Sequence, residues 1–514
     1  MSTATIHNPI VPDEPRLLRL DPADNIVVAI DRLTAGQSAF GVAAVNNIPR
    51  GHKMAVAPIP AGTPIRKFGN VIGIAKASIM PGEWVHEHNV AVSGLTAEHE
   101  FGTDRIEIAA TELAATFQGY RRASGRTGTR NYVGILTSVN CSASVARFAA
   151  AEIERSGLLA RFPGIDGVVP IVHGTGCGMA SRGEGFDILQ RTLWGYASHP
   201  NFAAVMMVGL GCEVFQIGGM KAAYGLDESD TFRTLTIQET GGTRRTVETI
   251  VDAMREMLPA AAAAKRQTCP ASELVLALQC GGSDGFSALT ANPALGVASD
   301  LLVASGGTSI LSETPEIYGA EHLLTRRAAS PEIGHDLMER LCWWEDYTAR
   351  NGGEMDNNPS PGNKAGGLTT ILEKSLGAVA KGGKAPLNAV YKYAEPVRQP
   401  GLVFMDTPGY DPVSATGQVA GGANIICFTT GRGSAFGCKP APSLKLATNS
   451  DIYQRMSGDM DIDCGDVLDG VPLEEKGREI FEAILRVASG EPTKSEQLGY
   501  GDLEFVPWQV GAVM

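Results

Sequence analysis

The apolar positions of this chain fall in short runs between glycine- and proline-rich turns, and the grammar of those runs changes once. Asn25–Ile30, Lys53–Ala57 and Val71–Ala75 are β-type runs punctuated by Pro49-Arg50-Gly51, Pro60-Ala61-Gly62 and Pro81-Gly82. That spacing predicts a small β-rich module. From Gly119 onward a different unit recurs: an apolar strand, a glycine loop, then helical composition. Tyr132–Thr137, Val168–Val172, Ala203–Val208, Leu274–Gln279, Leu402–Met405 and Ile425–Phe428 read as its strands, with helices at Ser144–Arg155 and Thr246–Leu258. Strand, loop and helix in alternation predict α/β domains with mainly parallel sheets, whose ligands bind beyond the carboxyl ends of the strands. The pattern divides the chain into a loose tail at 1–16, the β module at 17–95, a polar linker at 96–118, and α/β domains at 119–267 and 268–514.

Composition narrows the class. A chain of 514 residues exceeds one ordinary core, and 44% hydrophobic with 19% charged residues describes a well-buried globular protein. The net charge of −13 argues against a nucleic-acid partner, which calls for a basic face. Nine cysteines, an odd number over a long chain, fit reduced thiols in the cytoplasm better than a disulfide frame. Met1–Arg16 lacks the apolar core of a signal peptide, and no apolar run is long enough to span a bilayer, so a soluble cytoplasmic enzyme with no membrane partner is expected.

The stretch Asn357–Thr370 shows no hydrophobic period and reads as a shaped loop, with two prolines, three glycines and one lysine, Lys364, among amides and hydroxyls. A lone cation in such a loop suits a small polar anion; taken alone, the stretch is better read as a surface connection with a solvated lysine. Three other groups of residues carry candidate chemistry. In Val85-His86-Glu87-His88-Asn89, a strand would place His86 and His88 on one face, where His52 could complete a site for a divalent metal, Fe²⁺ first and Mn²⁺ second. Cys141, Cys177, Cys212 and Cys280 each follow a predicted strand. Singly they read as small apolar residues beneath turns; jointly they could line a crevice or hold an iron–sulfur cluster, the alternative cofactor. Finally, Cys280–Gly285 offers backbone N–H groups, Ser283 and Asp284, and Thr430–Gly433 offers Arg432 for a carboxylate. Gly125–Asn131 adds Arg126 and Arg130. No complete dinucleotide fingerprint or phosphate loop occurs, so a nucleotide cofactor is unsupported.

Taken together, Arg50-Gly51-His52-Lys53, Gly119-Tyr120-Arg121, Gly128-Thr129-Arg130-Asn131, Gly209–Glu213, Cys280–Gly285 and Asn358–Gly367 resemble the altronate and galactarate dehydratase family of sugar-acid dehydratases. The resemblance runs from about Leu17 to near the end. It implies that the β module is of SAF type, that a sugar acid loses water to give a 2-keto-3-deoxy acid, and that a divalent metal, usually Fe²⁺, takes part. The histidine pair looks closer to the altronate branch, although altronate dehydratases tend to carry a histidine where this chain reads Leu20–Asn25. Sulfolactate sulfo-lyases are relatives usually split into separate chains, and a non-catalytic sugar-acid sensor is the other class of function. On this resemblance Lys364 is the expected base or carboxylate clamp and Asp284 the alternative acid or base. Arg432, Asn363, Ser283 and Arg130 are expected to bind substrate, and His52, His86 and His88 the metal. A homo-oligomer is compatible with all of this.

Overall fold

The computed structural model describes residues 6–7, 14–92, 99–109 and 115–513. The expected end of the β module, at 93–95, and the first linker residues, 96–98, lie outside them. A five-stranded antiparallel sheet orders Ile6–His7, Leu17–Arg19, Ile26–Ala29, Lys53–Ala55 and Trp84–Val85, beside a three-stranded sheet of Val90–Ala91, Asn70–Ala75 and Pro64–Lys67. The tail at 1–16 is thus not wholly loose, since Ile6–His7 pairs with Leu18 and Arg19. Nor is the linker a free spacer. Its described part lies on the C-terminal domain, with Gly102 N–H donating to Thr325 O and Phe101 packing on the His335 ring. It then enters the strand Thr116–Arg121, which pairs antiparallel with Gln267–Pro270.

The two α/β units carry wholly parallel sheets. In the second domain the order is Gly167–Ile171, Tyr132–Thr137, Phe202–Gly209, Phe232–Thr236. Tyr132–Thr137 is buried throughout, as the unbroken apolar run predicts for a strand covered by helices on both faces. The C-terminal sheet has seven strands, ordered Leu387–Tyr391, Gly401–Met405, Thr308–Leu311, Val275–Cys280, Ile425–Thr430, Ser443–Ala447, Ile462–Asp463. Chain order reverses between Val275–Cys280 and Ile425–Thr430. The loops Cys280–Gly285 and Thr430–Gly433 therefore open at a topological switch point, where open α/β sheets bind ligands.

A buried ion triad fastens the module to the C-terminal domain. Lys53 and Lys67, both fully buried on module strands, reach Glu373 of the helix Ile371–Ala380 at 2.8 and 2.9 Å. Burial alone would raise the Glu373 carboxyl, but the two ammonium groups hold it well below its usual range. Burial pushes Lys53 down to about 8 against the pull of Glu373. Lys53 also donates to Gly367 O, and Thr369 Oγ1 to Glu373, so the triad grips the segment expected to bind the anion.

Candidate active site

Asn357–Thr370 is not loop throughout. Ser360 caps a helical turn, Pro361–Ala365: its hydroxyl accepts from Asn363 N–H, while Asn363 Oδ1 accepts from Ser360 N–H. Proline at the first position needs no amide partner, which suits this start. Asn363 is buried and its Nδ2 donates to Ser283 O at 2.8 Å, so Asn363 and Ser283 pin the turn to the switch-point loop. Glycines make this closeness possible. At Gly367, where φ is +105°, a Cβ would strike Gly51 O, and at Gly431 it would strike the Asp284 carboxylate.

Asp284 is a hub of this junction. Its Oδ1 accepts from Phe286 N–H, from Ser287 N–H and hydroxyl, and from the Thr448 hydroxyl; its Oδ2 accepts from Asn449 Nδ2. Burial raises its pKa nonetheless. Arg432 is exposed beside Gly282 and Gly366, and no carboxylate among the described residues pairs with it. Lys364 sits 3.5 Å from Glu87 of the module with about a third of its side chain exposed. Asp284, Ser283, Asn363, Arg432 and Lys364 thus come together at one junction between module and C-terminal sheet. Arg130 does not. It is buried against Glu496, at 2.6 and 2.7 Å, and donates to the carbonyls of Val487 and Glu491, tying the second domain to the chain's last helices.

The His52 and His86 rings meet edge to face, 5.0 Å between centroids, but the expected strand face is not what brings the histidines near one another. The strand ends at Val85, and His86–Asn89 is a turn closed by Asn89 and Val90 N–H to His86 O, so His86 and His88 share no strand face. Trp84 Nε1 can only donate, so His52 Nδ1 accepts at 3.2 Å. His52 Nε2 then carries the proton and donates to Ala365 O at 3.3 Å, which leaves His52 no lone pair for a metal. His86 stacks on Trp84 with its buried Nδ1 unpartnered, and His88 is exposed near the same indole. Burial lowers His52 to about 4 and His86 to about 3. The three do not fit the divalent metal that the resemblance implies.

A charged cluster beneath the same loop was not foreseen. Cys280, at the end of its strand, lies 3.5 Å from Glu313 and 3.4 Å from Glu316; Lys381 reaches Cys280 at 2.9 Å and Glu313 at 3.1 Å, and Lys374 reaches Glu316 at 2.7 Å. Asn358 of the loop bonds both Glu316 and Lys374. Among the described residues, Cys280, Glu313 and Glu316 form the one group of three ligand-type side chains within 4.8 Å of each other. Two lysines already neutralise it. Burial, and then Glu313, push the Cys280 thiol up. Burial and Glu316 likewise raise Glu313, whose left-handed backbone, φ +71°, and unpartnered buried Oε1 are further costs. Asp411, pressed against Gly281, is raised to about 6 by burial and then by Glu316. The sequence signal was present: Glu313-Thr314-Pro315-Glu316 follows a strand, and Lys374 and Lys381 lie seven apart along a mostly apolar helix and its cap.

Family models match almost the whole chain: the altronate/galactarate dehydratase SAF domain over 15–93, the D-galactarate dehydratase/altronate hydrolase second domain over 119–262, and the D-galactarate/altronate dehydratase C-terminal domain over 271–513. The chain belongs to the D-galactarate/altronate dehydratase family. It is 39% identical to galactarate dehydratase (L-threo-forming) of Escherichia coli strain K12, over 94% of both chains. It is 34% identical to altronate dehydratase of Bacillus subtilis strain 168, over 95% of this chain and 97% of that one. The beta subunit of (2R)-sulfolactate sulfo-lyase from Chromohalobacter salexigens is 33% identical over 75% of this chain and 95% of its own. Within this family frame, the module–sheet junction joins two of the three matched domains. No helix of the described residues is long and apolar enough to cross a membrane.

Proposed function

We propose that this chain is a hydro-lyase that dehydrates a hexonate or hexarate to a 2-keto-3-deoxy acid. The observation that carries the reading is the junction of module and C-terminal domain, where Lys364, beside Glu87, and exposed Arg432, against Gly282 and Gly366, bring two cations to the switch-point loops. The C2–H of a sugar acid is weakly acidic because its loss adds a second negative charge to the carboxylate. Cations fixed at that carboxylate stabilise the enediolate more than the ground state. Arg432 clamps the carboxylate, and Lys364 either clamps it or takes the C2 proton. Asp411, near 6, has the proton affinity of a general acid for the departing 3-hydroxyl. C2–H and C3–O break, the C2=C3 bond forms, water leaves, and the enol becomes the ketone. Asp284, with both oxygens occupied, holds the loop in place of an acid–base role.

D-galactarate is the first substrate to assay, because identity to the galactarate enzyme exceeds that to the altronate enzyme, 39% against 34%. D-altronate is the second, favoured by the His86-Glu87-His88 pattern. Formation of the keto acid from either, under reducing conditions with and without added Fe²⁺, tests the reading. Binding of both acids without turnover would replace it with a sensor.

A further inference from the structure

Three of the four strand-end cysteines are exposed and share the carboxyl edge of the second-domain sheet, whereas Cys280 is buried in the C-terminal domain. Chain order reverses between Tyr132–Thr137 and Phe202–Gly209, which makes that edge a second switch point. Cys141 follows the first of these strands and Cys212 the second; Cys177 follows the neighbouring Gly167–Ile171.

Their loops are tied to one another beside each thiol. Asn140 N–H donates to Thr175 O at 2.9 Å, and Phe215 N–H to Gly176 O at 3.0 Å. Glu213 accepts from the Ser138 hydroxyl at 2.6 Å and from Gly211 N–H at 2.6 Å. A Cβ on Gly176, where φ is +101°, would run into Ser138 O, so the Cys177 loop lies flat against the strand end that leads to Cys141. Each tie is within three residues of a cysteine, so the three cysteines sit on adjoining, hydrogen-bonded loops of one sheet edge. They do not form a group within 4.8 Å, the closeness a single ion would draw them to. Gln238 Nε2 donates to Cys212 Sγ at 3.3 Å.

We propose that Cys141, Cys177 and Cys212 ligate an iron–sulfur cluster of the [4Fe–4S] type. Soft thiolates select such clusters, and a cluster spreads its ligands wider than a single ion does. With three protein thiolates at the edge, one iron has no protein sulfur and can accept an oxygen ligand as a Lewis acid. This inference stands apart from the dehydratase reading. It supplies a home for iron that the histidines do not.

The test is iron and acid-labile sulfide content, with the visible spectrum, of the full chain purified anaerobically or reconstituted with iron and sulfide. Equal amounts of iron and sulfide are expected, falling to background in C141S, C177S and C212S, each verified as folded by circular dichroism. C342S, at another exposed cysteine, should keep the wild-type content. Iron or zinc bound without sulfide, or sulfide retained in the three variants, would overturn the proposal. Turnover with no sulfide would sink the cluster and spare the function; a cluster without turnover on any sugar acid would do the reverse.

Discussion

At the scale of single residues, Lys364 and Asp411 are the groups whose removal best separates chemistry from folding. Lys364 is partly exposed and its closest ionic contact is a loose one, Glu87 at 3.5 Å, so Lys364→Met should leave the melting temperature nearly unchanged. If it moves the C2 proton, kcat should fall by about 10²- to 10⁴-fold; if it clamps, KM rises with kcat kept. Steady-state kinetics on the accepted sugar acid decides between them. Asp411→Asn should remove the limb of the pH–rate profile near 6 as well as most of kcat. An unchanged profile would return Asp411 to a packing role against Gly281.

At the scale of elements, the junction of module and C-terminal domain makes its own demands. Gly367→Ala would combine a left-handed backbone with a clash against Gly51 O, and should loosen the module, read as faster proteolysis between 92 and 115. Glu373→Gln would leave Lys53 and Lys67 buried without their counter-charge, a loss of about 3–5 kcal/mol in urea unfolding. Most elements were legible in the sequence because covered parallel strands are unbroken apolar runs: Tyr132–Thr137 matches residue for residue, and Ala143–Arg155 differs from expectation by one. The turn Pro361–Ala365 was not, since five residues are too few for a helical period; its capping box was the readable sign. His86 and His88 misled for a related reason. The His-x-His pattern assumes an extended backbone, and Asn89 closes a turn there instead. The ion cluster around Glu313 escaped because its members lie on separate elements that only the folded sheet brings together.

At the scale of the whole molecule, the second domain meets the C-terminal domain through a buried polar seam. Asn201 bonds Thr129, Asn424 O and Pro440 O, and His199 sits in the same seam, fully enclosed. Asn201 N–H donates to His199 Nδ1, so Nε2 carries the proton and donates to Ala423 O at 3.1 Å. Burial, then Arg126, lowers His199 from 6.5 to about 3. Above 6.5 the ring is neutral in both states and costs nothing. As pH falls below 6.5 the unfolded chain takes up a proton that the folded chain refuses until about 3, so this ring withdraws stability over that window. Carboxyls with raised pKa values, Asp411 among them, act in the opposite sense over part of the same range, so the raw pH curve mixes both. Comparison with His199→Gln isolates the ring. The variant should be less stable than the parent at neutral pH, where it loses the Ala423 and Asn201 bonds, and the gap in melting temperature should narrow steadily as pH drops from about 6.5 to 4.5. A gap constant with pH would mean that the seam admits water and the imidazole titrates there as it does in solvent.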